Sequence, residues 1–216
     1  MHVELFVVGD LQTNCYVVVN SDERLCLVID PGSGSAKPIS DYIRRNRLEL
    51  KNIILTHGHF DHMLGAADLK EAFNARVIIH ERDAICLSSS QESLYMSILS
   101  EPYHACEPDK TITGGEYTNM GDIQIKFIHT PGHSPGSMCI EIGNCLFTGD
   151  TLLKGGCGRT DLKGGDASLL KRSLAIISTL RGDYIVYPGH GETTTLKFER
   201  ENNTAIFDAL NKGNTF

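Results

Sequence analysis

The chain has 216 residues, ample for one large α/β unit with a sizeable core, and a single domain over residues 1–216 is expected. Its 27 acidic residues outnumber the 20 basic ones, and the formal charge of −7 repels a polyanion, which argues against nucleic acid as substrate or partner. Seven cysteines with no C-x-x-C pair, no signal-like N-terminus and no apolar run near the ~20 residues that span a bilayer point to a soluble cytoplasmic protein with reduced thiols and no membrane contact.

Three short β-branched runs open the chain at 3–8, 13–19 and 25–29, separated by Gly9-Asp10 and Asn20-Ser21-Asp22, the pattern of an antiparallel meander. After Asp30-Pro31-Gly32, the spacing of Ile39, Tyr42 and Ile43 predicts a helix over 36–47, and 52–55 is a brief strand running into histidines. Residues 61–73 read as a helix and 76–80 as a strand. From 81 to 120 the apolar spacing is irregular, and helical pieces near the rim of a site are expected. The second half repeats the grammar: strands at 123–129, 138–142 and 145–147, a Gly-rich loop, a helix over 167–180, a strand at 184–187 and a closing helix over 196–210. Each strand group is trailed by an amphipathic helix that must bury one stripe, so sheets inside and helices outside are expected.

The strongest chemical signal is Thr56-His57-Gly58-His59-Phe60-Asp61-His62, three imidazoles and a carboxylate directly after an apolar strand. In an extended loop His57 and His59 point to the same side and can grip one ion. Asp61 and His62 begin the next helix and point elsewhere, toward a second ion. Further along, His133, Asp150 and His190 each follow a glycine at the end of a predicted strand, a turn that presents the side chain over one rim of the sheets.

The series T-H-x-H-x-D-H, P-G-H-S-x-G-S, G-D-T-L and P-G-H-G resembles that of the metallo-β-lactamase superfamily, specifically its glyoxalase II-like (hydroxyacylglutathione hydrolase-like) branch without the C-terminal helical domain. The resemblance runs from Asp30 to His190 and implies a four-layer αββα sandwich. It implies that His57, His59 and His133 hold one metal, that Asp61, His62 and His190 hold a second, and that Asp150 bridges both. His and carboxylate ligands suit two zinc ions, with iron or manganese as substitutes. Two such ions roughly 3.5–4 Å apart bring a shared water toward a pKa of about 7, giving a hydroxide that attacks an acyl carbonyl. Asp61 is then the catalytic carboxylate, both ligating and orienting that nucleophile, and the expected partner is a small thioester or ester. Asp30 resembles the aspartate that orients ligands from behind, although an Asp before Pro is equally at home as a turn former.

The resemblance leaves rivals. Persulfide dioxygenases share the first motif and the loop Gly156-Cys157-Gly158-Arg159-Thr160-Asp161, yet hold one iron, which here would use His57, His133 and Asp150. A lactonase is a further hydrolytic option, and a non-catalytic metal-binding scaffold the option of another class. Glyoxalase II has a lysine in place of Arg159, and tyrosines in place of Asp161 and Glu192, so the metal chemistry carries over better than the grip on glutathione. Arg159 either receives a substrate carboxylate or pairs with Asp161 or Asp166. His80 and His129 read as structural, His2 and His104 carry no partner signal, and Cys157 reads as a small residue packed in a tight loop.

Overall fold

The computed structural model describes residues 1–95 and 102–211. One mixed sheet is built in simple chain order from β1 (His2–Val8), β2 (Thr13–Asn20), β3 (Leu25–Ile29), β4 (Glu49–Ile54), β5 (Arg76–His80) and β6 (Lys110–Ile112). The first three strands pair antiparallel and the rest parallel. Helix α1 (Ala36–Arg45) crosses from β3 to β4, and α2 (Phe60–Met63) with α3 (Ala66–Phe73) crosses from β4 to β5. A second sheet runs through β7 (Tyr117–Met120), β8 (Ile123–His129), β9 (Met138–Ile142), β10 (Cys145–Gly149), β11 (Ile185–Pro188) and β12 (Thr194–Thr195). Its helices are α4 (Ala167–Ser178), α5 (Leu196–Asn202) and α6 (Thr204–Asn211).

Side-chain alternation sorts these elements into four layers. Tyr16, Val18, Leu27, Ile29, Ile54 and Ile78 face Phe127, Ile140 and Phe147 across the space between the sheets. Their neighbours Val17, Val19, Cys26, Val28 and Val77 turn outward against Ile39 and Ile43 of α1 and Leu69 of α3. On the far side Cys139, Leu146 and Val186 pack on Leu170, Leu174 and Ile177 of α4 and on Leu196 and Ile206 of the last two helices. The architecture is the expected αββα sandwich. At β2 both faces of the sheet are covered and every position is buried, which is why Cys15 to Val19 run continuously apolar rather than alternating.

Three expectations are corrected in detail. The helix expected over 61–73 is two helices, because Gly65 bonds to the Pro31 carbonyl and an added Cβ there would lie 2.2 Å from Ser35 Oγ. The closing helix breaks at Asn203, whose amide turns inward to the carbonyls of Leu153 and Gly156 and to Glu199 Oε2. Between 81 and 120 the short 3-10 turn Glu81–Leu87 fits the expectation of helical pieces, whereas Lys110–Ile112 and Tyr117–Met120 are edge strands. Each is short and inserts one apolar side chain, Ile112 or Met120, too little for a periodic signal. The rest of that expectation, residues 96–101, lies outside the described residues. Among the described residues, no helix is long and apolar enough to cross a membrane.

Candidate metal centre

All seven residues singled out from the sequence meet at one end of the sandwich, beyond the carboxyl ends of β4, β10 and β11 and in the loop between β8 and β9. His57 Nε2 lies 3.1 Å from His59 Nδ1, which lies 2.9 Å from His133 Nε2. Beside this trio, His62 Nε2 is 3.3 Å from His190 Nε2 and 3.4 Å from Asp61 Oδ2, and Asp61 Oδ2 is 3.3 Å from His190 Nε2. Both trios gather one ligand atom per residue within 4.8 Å of one another, and a third group, Asp30, His57 and His62, does so as well. Asp150 stands between the two trios. One of its oxygens is 3.4 Å from His133 Nε2 and 3.7 Å from His190 Nε2, and the other is 3.6 Å from His62 Nε2.

Outer hydrogen bonds dictate which ring nitrogen is left free. Thr56 Oγ1 donates to Asp30 Oδ2 at 2.6 Å, so it accepts from His57 Nδ1 at 3.1 Å. His62 Nδ1 donates to Asp30 Oδ2 (2.9 Å), His133 Nδ1 to the Arg159 carbonyl (2.8 Å) and His190 Nδ1 to the Leu11 carbonyl (3.2 Å). With Nδ1 carrying the proton in these four rings, four Nε2 lone pairs converge with His59 Nδ1. Lone pairs facing one another at about 3 Å repel unless a cation or a proton lies among them. Asp150 Oδ1 is buried without a hydrogen-bond partner. A buried carboxylate oxygen left unpaired is costly, and the donor set of five imidazoles and two carboxylates fits a metal pair.

The electrostatics of the metal-free protein divide the site. Burial, with the neighbouring imidazoles adding to it, holds His57 well below the ordinary histidine range and brings His59 down to about 4. Burial works the same way on His62, but the carboxylates of Asp61, Asp30 and Asp150 outweigh it and raise that ring to about 10. For His190 burial is likewise overcome, by the hydrogen bond to Asp61 and the charge of Asp150, and its pKa is raised. Burial alone would lift Asp61, yet the charge of His62 and the bonds from His190 and Thr13 keep it well below the usual carboxylate range. One trio therefore has two rings ready as neutral ligands, while the other holds protons among carboxylates, as a cation site does before its cation arrives.

Asp30 bonds to Thr56 and His62 from behind the cluster, as the resemblance implies, and it also stands in a turn (φ 52°), as its other reading has it. Several positioning residues carried no sequence signal. Thr13 donates to Asp61 Oδ2 at 3.0 Å. Asn14 and Tyr16, on the same strand, bond to the Pro188 carbonyl and pin the turn that carries His190. Asp83 accepts from the Gly58 and Gly136 backbone N–H groups and from Ser134 Oγ, tying the His57-Gly58-His59 loop to the His133 loop. Two glycines are needed because neighbouring side chains crowd them. A Cβ on Gly58 would lie 2.6 Å from Cys86 Cβ, and one on Gly189 would lie 2.3 Å from Asp150 Oδ1.

The remaining candidates supply no side-chain atom to the trios. His80 and His129 stack at 4.0 Å and bond to the carbonyls of Thr113 and Pro135. His2 joins Ser21 and Tyr42, and His104 pairs with Asp68 on the surface. Cys157 is a half-buried free thiol whose pKa burial raises, so it is no activated thiolate. Arg159 makes a two-pronged pair with Asp161 rather than Asp166, at 2.6 Å for each contact.

Fold and site together define a metal-binding αββα protein whose ligands are supplied by loops at one end of its sheets. The chain belongs to the metallo-beta-lactamase superfamily, whose family model matches residues 8–190. It is 34% identical to the hydroxyacylglutathione hydrolase GloC of Haemophilus influenzae, covering 94% of this chain and 97% of that protein. The crystal structure of BLEG-1 B3 metallo-beta-lactamase superposes with a TM-score of 0.88 at 32% identity, over 95% of this chain and all of that one. That of ETHE1 from Myxococcus xanthus gives 0.80 at 26% identity, over 94% and 83% respectively. These relationships support a metal-dependent hydrolase in general, and the fold with its His/Asp clusters implies bound metal ions.

Proposed function

We propose that this protein is a binuclear metal-dependent hydrolase of small thioesters or esters, hydroxyacylglutathione hydrolase-like, with zinc as the expected metal. The observation that carries the proposal is Asp150. Its carboxylate lies between two complete trios: the buried, unpaired Oδ1 is 3.6 Å from His62 Nε2, and Oδ2 is 3.4 Å from His133 Nε2 and 3.7 Å from His190 Nε2. His57, His59 and His133 would hold one ion, Asp61, His62 and His190 the other, and Asp150 both. When bound, such a pair supplies an acidified water and polarises an acyl carbonyl.

The protein's own residues do the orienting. Asp61 stays ionised and is therefore an acceptor for a hydrogen of the attacking water. Thr13 donates to its Oδ2 and fixes the plane of that carboxylate. Most of the ligands are buried, while Asp150 and His190 retain partial exposure, so substrate reaches the centre on their side. At that rim Arg159 pairs with Asp161, and Lys154 pairs with Glu192. Both cations are already engaged by carboxylates on the same surface, which supports low selectivity for the glutathione part of a thioester.

A mononuclear iron dioxygenase would use His57, His133 and Asp150 and leave His59, Asp61, His62 and His190 off the metal, so the metal count separates the two readings. The test is elemental analysis of protein purified without added metal, with turnover of S-lactoylglutathione, a simple thioester, a lactone and a β-lactam. About two metals per chain and thioester turnover with little preference for glutathione are expected. No thioester turnover by the zinc-loaded protein would sink the proposal, as would one iron with oxygen uptake on glutathione persulfide.

A further inference from the structure

At the end of the first sheet opposite the metal centre lies a hollow of about 420 Å³, lined among others by His2, Ser21, Arg24, Tyr42, Arg45 and Arg47. Strand β3 joins the two ends, since Arg24 precedes it and Asp30 follows it, a span of roughly 17 Å at the usual rise per residue. Three arginines thus line one cavity in a protein of net charge −7.

Local carboxylates make no direct pair with them, although the charge of Arg45 acts on Asp41. Asp41, one turn before Arg45, bonds to Lys37, and Glu49 bonds to Lys51. Glu23 lies against Gly121, where an added Cβ would strike its carboxylate. None of the three arginines makes an ion pair among the described residues. Arg44 and Arg45 do oppose the negative end of α1, and Arg44 stacks on Phe73. That role does not extend to Arg24, in the β2–β3 turn, or to Arg47, beyond the helix.

The backbone brings two of the three together. Arg24 and Arg47 sit in the left-handed region with φ of 56° and 54°, where glycine or asparagine is easier to accommodate. They are also tied together, since the Glu49 N–H bonds to the Arg24 carbonyl. Arg47 takes this conformation as the turn that ends α1, with the Leu48 N–H bonded to the Ile43 carbonyl, and the two turns bring both arginines to the same cavity. The wall between them is polar and already ordered. His2 bridges Ser21 Oγ at 3.3 Å and the Tyr42 hydroxyl at 3.2 Å.

We infer that this hollow is a second binding site, for a small phosphate ester, separate from the metal centre. Guanidinium forks match the tetrahedral oxygens of phosphate two at a time, whichever of the Ser21 and Tyr42 hydroxyls accepts from His2 keeps its hydrogen for the ligand, and the volume admits a small organic ligand. The inference does not depend on the hydrolytic reading.

The test is a two-dimensional amide NMR titration of the metal-loaded protein with glycerol 2-phosphate, with citrate in a parallel arm. Saturable shifts are expected at Ser21, Arg24, Asn46 and Arg47, with the loops at 57–62 and 188–191 unmoved. Arg24→Gln combined with Arg47→Gln should weaken binding by about tenfold or more, as loss of charge-assisted contacts requires, and leave thioester turnover unchanged. Arg24→Gly with Arg47→Gly should lose binding equally while unfolding at the parent's temperature or above, because the strained turns are relieved. Shifts confined to the metal-centre loops, undiminished binding by the glutamine variant, or tighter binding of citrate would each overturn the assignment. So would a glycine variant that unfolds earlier, since the arginines would then be structural.

Discussion

Asp83 gives the sharpest mutational test of how the ligand loops are held. It is 2% exposed and accepts three hydrogen bonds, from Gly58 N at 3.0 Å, Gly136 N at 2.6 Å and Ser134 Oγ at 2.6 Å. Gly58 lies between His57 and His59, and Ser134 follows His133, so one carboxylate sets the spacing of the first trio. Asp83→Ala orphans two buried N–H groups, whereas Ser134 keeps Ser137 as a partner at 2.7 Å. At about 1–3 kcal/mol per orphaned donor, the loss is about 2–6 kcal/mol, less whatever an entering water restores. Relaxation of the two loops should also cost about 10–100-fold in metal affinity, the usual penalty for removing a group that supports ligands from outside. Asp83→Asn keeps the shape but turns an NH₂ group against one donor, and should fall between wild type and Asp83→Ala. Denaturant unfolding of the metal-free protein reads the first quantity, and competition with a chromophoric chelator reads the second. Weakening should be confined to one of two binding steps. An Asp83→Ala protein that binds both metals as wild type does, however much stability it loses, would refute the reasoning.

Three further outcomes follow from the same geometry. Gly189→Ala drives a methyl group toward Asp150 Oδ1 (2.3 Å) and His62 Cε1 (2.7 Å), and kcat should fall about 100-fold, as an ångström-scale displacement of reacting groups does. Metal affinity should depend on pH differently at the two trios. His59, brought down to about 4, is deprotonated throughout the neutral range, whereas His62, raised to about 10, must release a proton to bind. Between pH 6 and 9 one binding step should be nearly flat and the other should strengthen by up to about tenfold per pH unit for each proton displaced. Two equally flat steps in calorimetry would contradict this division. The sign for stability is opposite, because a raised pKa stabilises the metal-free fold at low pH and that contribution fades as pH climbs toward about 10. Arg159→Ala should change KM for a glutathione thioester less than about threefold, because the guanidinium is exposed and already paired with Asp161. A larger rise in KM would mean that the pair opens to receive substrate.

The clustered set of seven was legible in the sequence because each member announces itself locally. Four of the seven lie within Thr56 to His62, and the other three each follow a glycine at a strand end. Backbone alternation in an extended loop, followed by a helical turn, was enough to divide the first motif between two trios. Thr13, Asn14, Tyr16 and Asp83 were not legible. A threonine, asparagine, tyrosine or aspartate has no spacing to read, and the contacts from Asn14 to Pro188 and from Asp83 to Gly136 are made only after the two sheets close. The four layers were foreseeable from strand groups trailed by helices. The helix breaks at Gly65 and Asn203 were not, because each is set by a partner distant in the chain: Pro31 for Gly65, Leu153 and Gly156 for Asn203.

The most direct measurement is a crystal structure of the metal-loaded protein with anomalous scattering collected at the absorption edge of the metal. Two peaks about 3.5–4 Å apart are expected, the usual separation in binuclear hydrolytic sites. One should be ringed by His57, His59 and His133, the other by Asp61, His62 and His190, with Asp150 touching both. A lone peak against His57, His133 and Asp150, with Asp61 and His190 uncoordinated, would contradict the account.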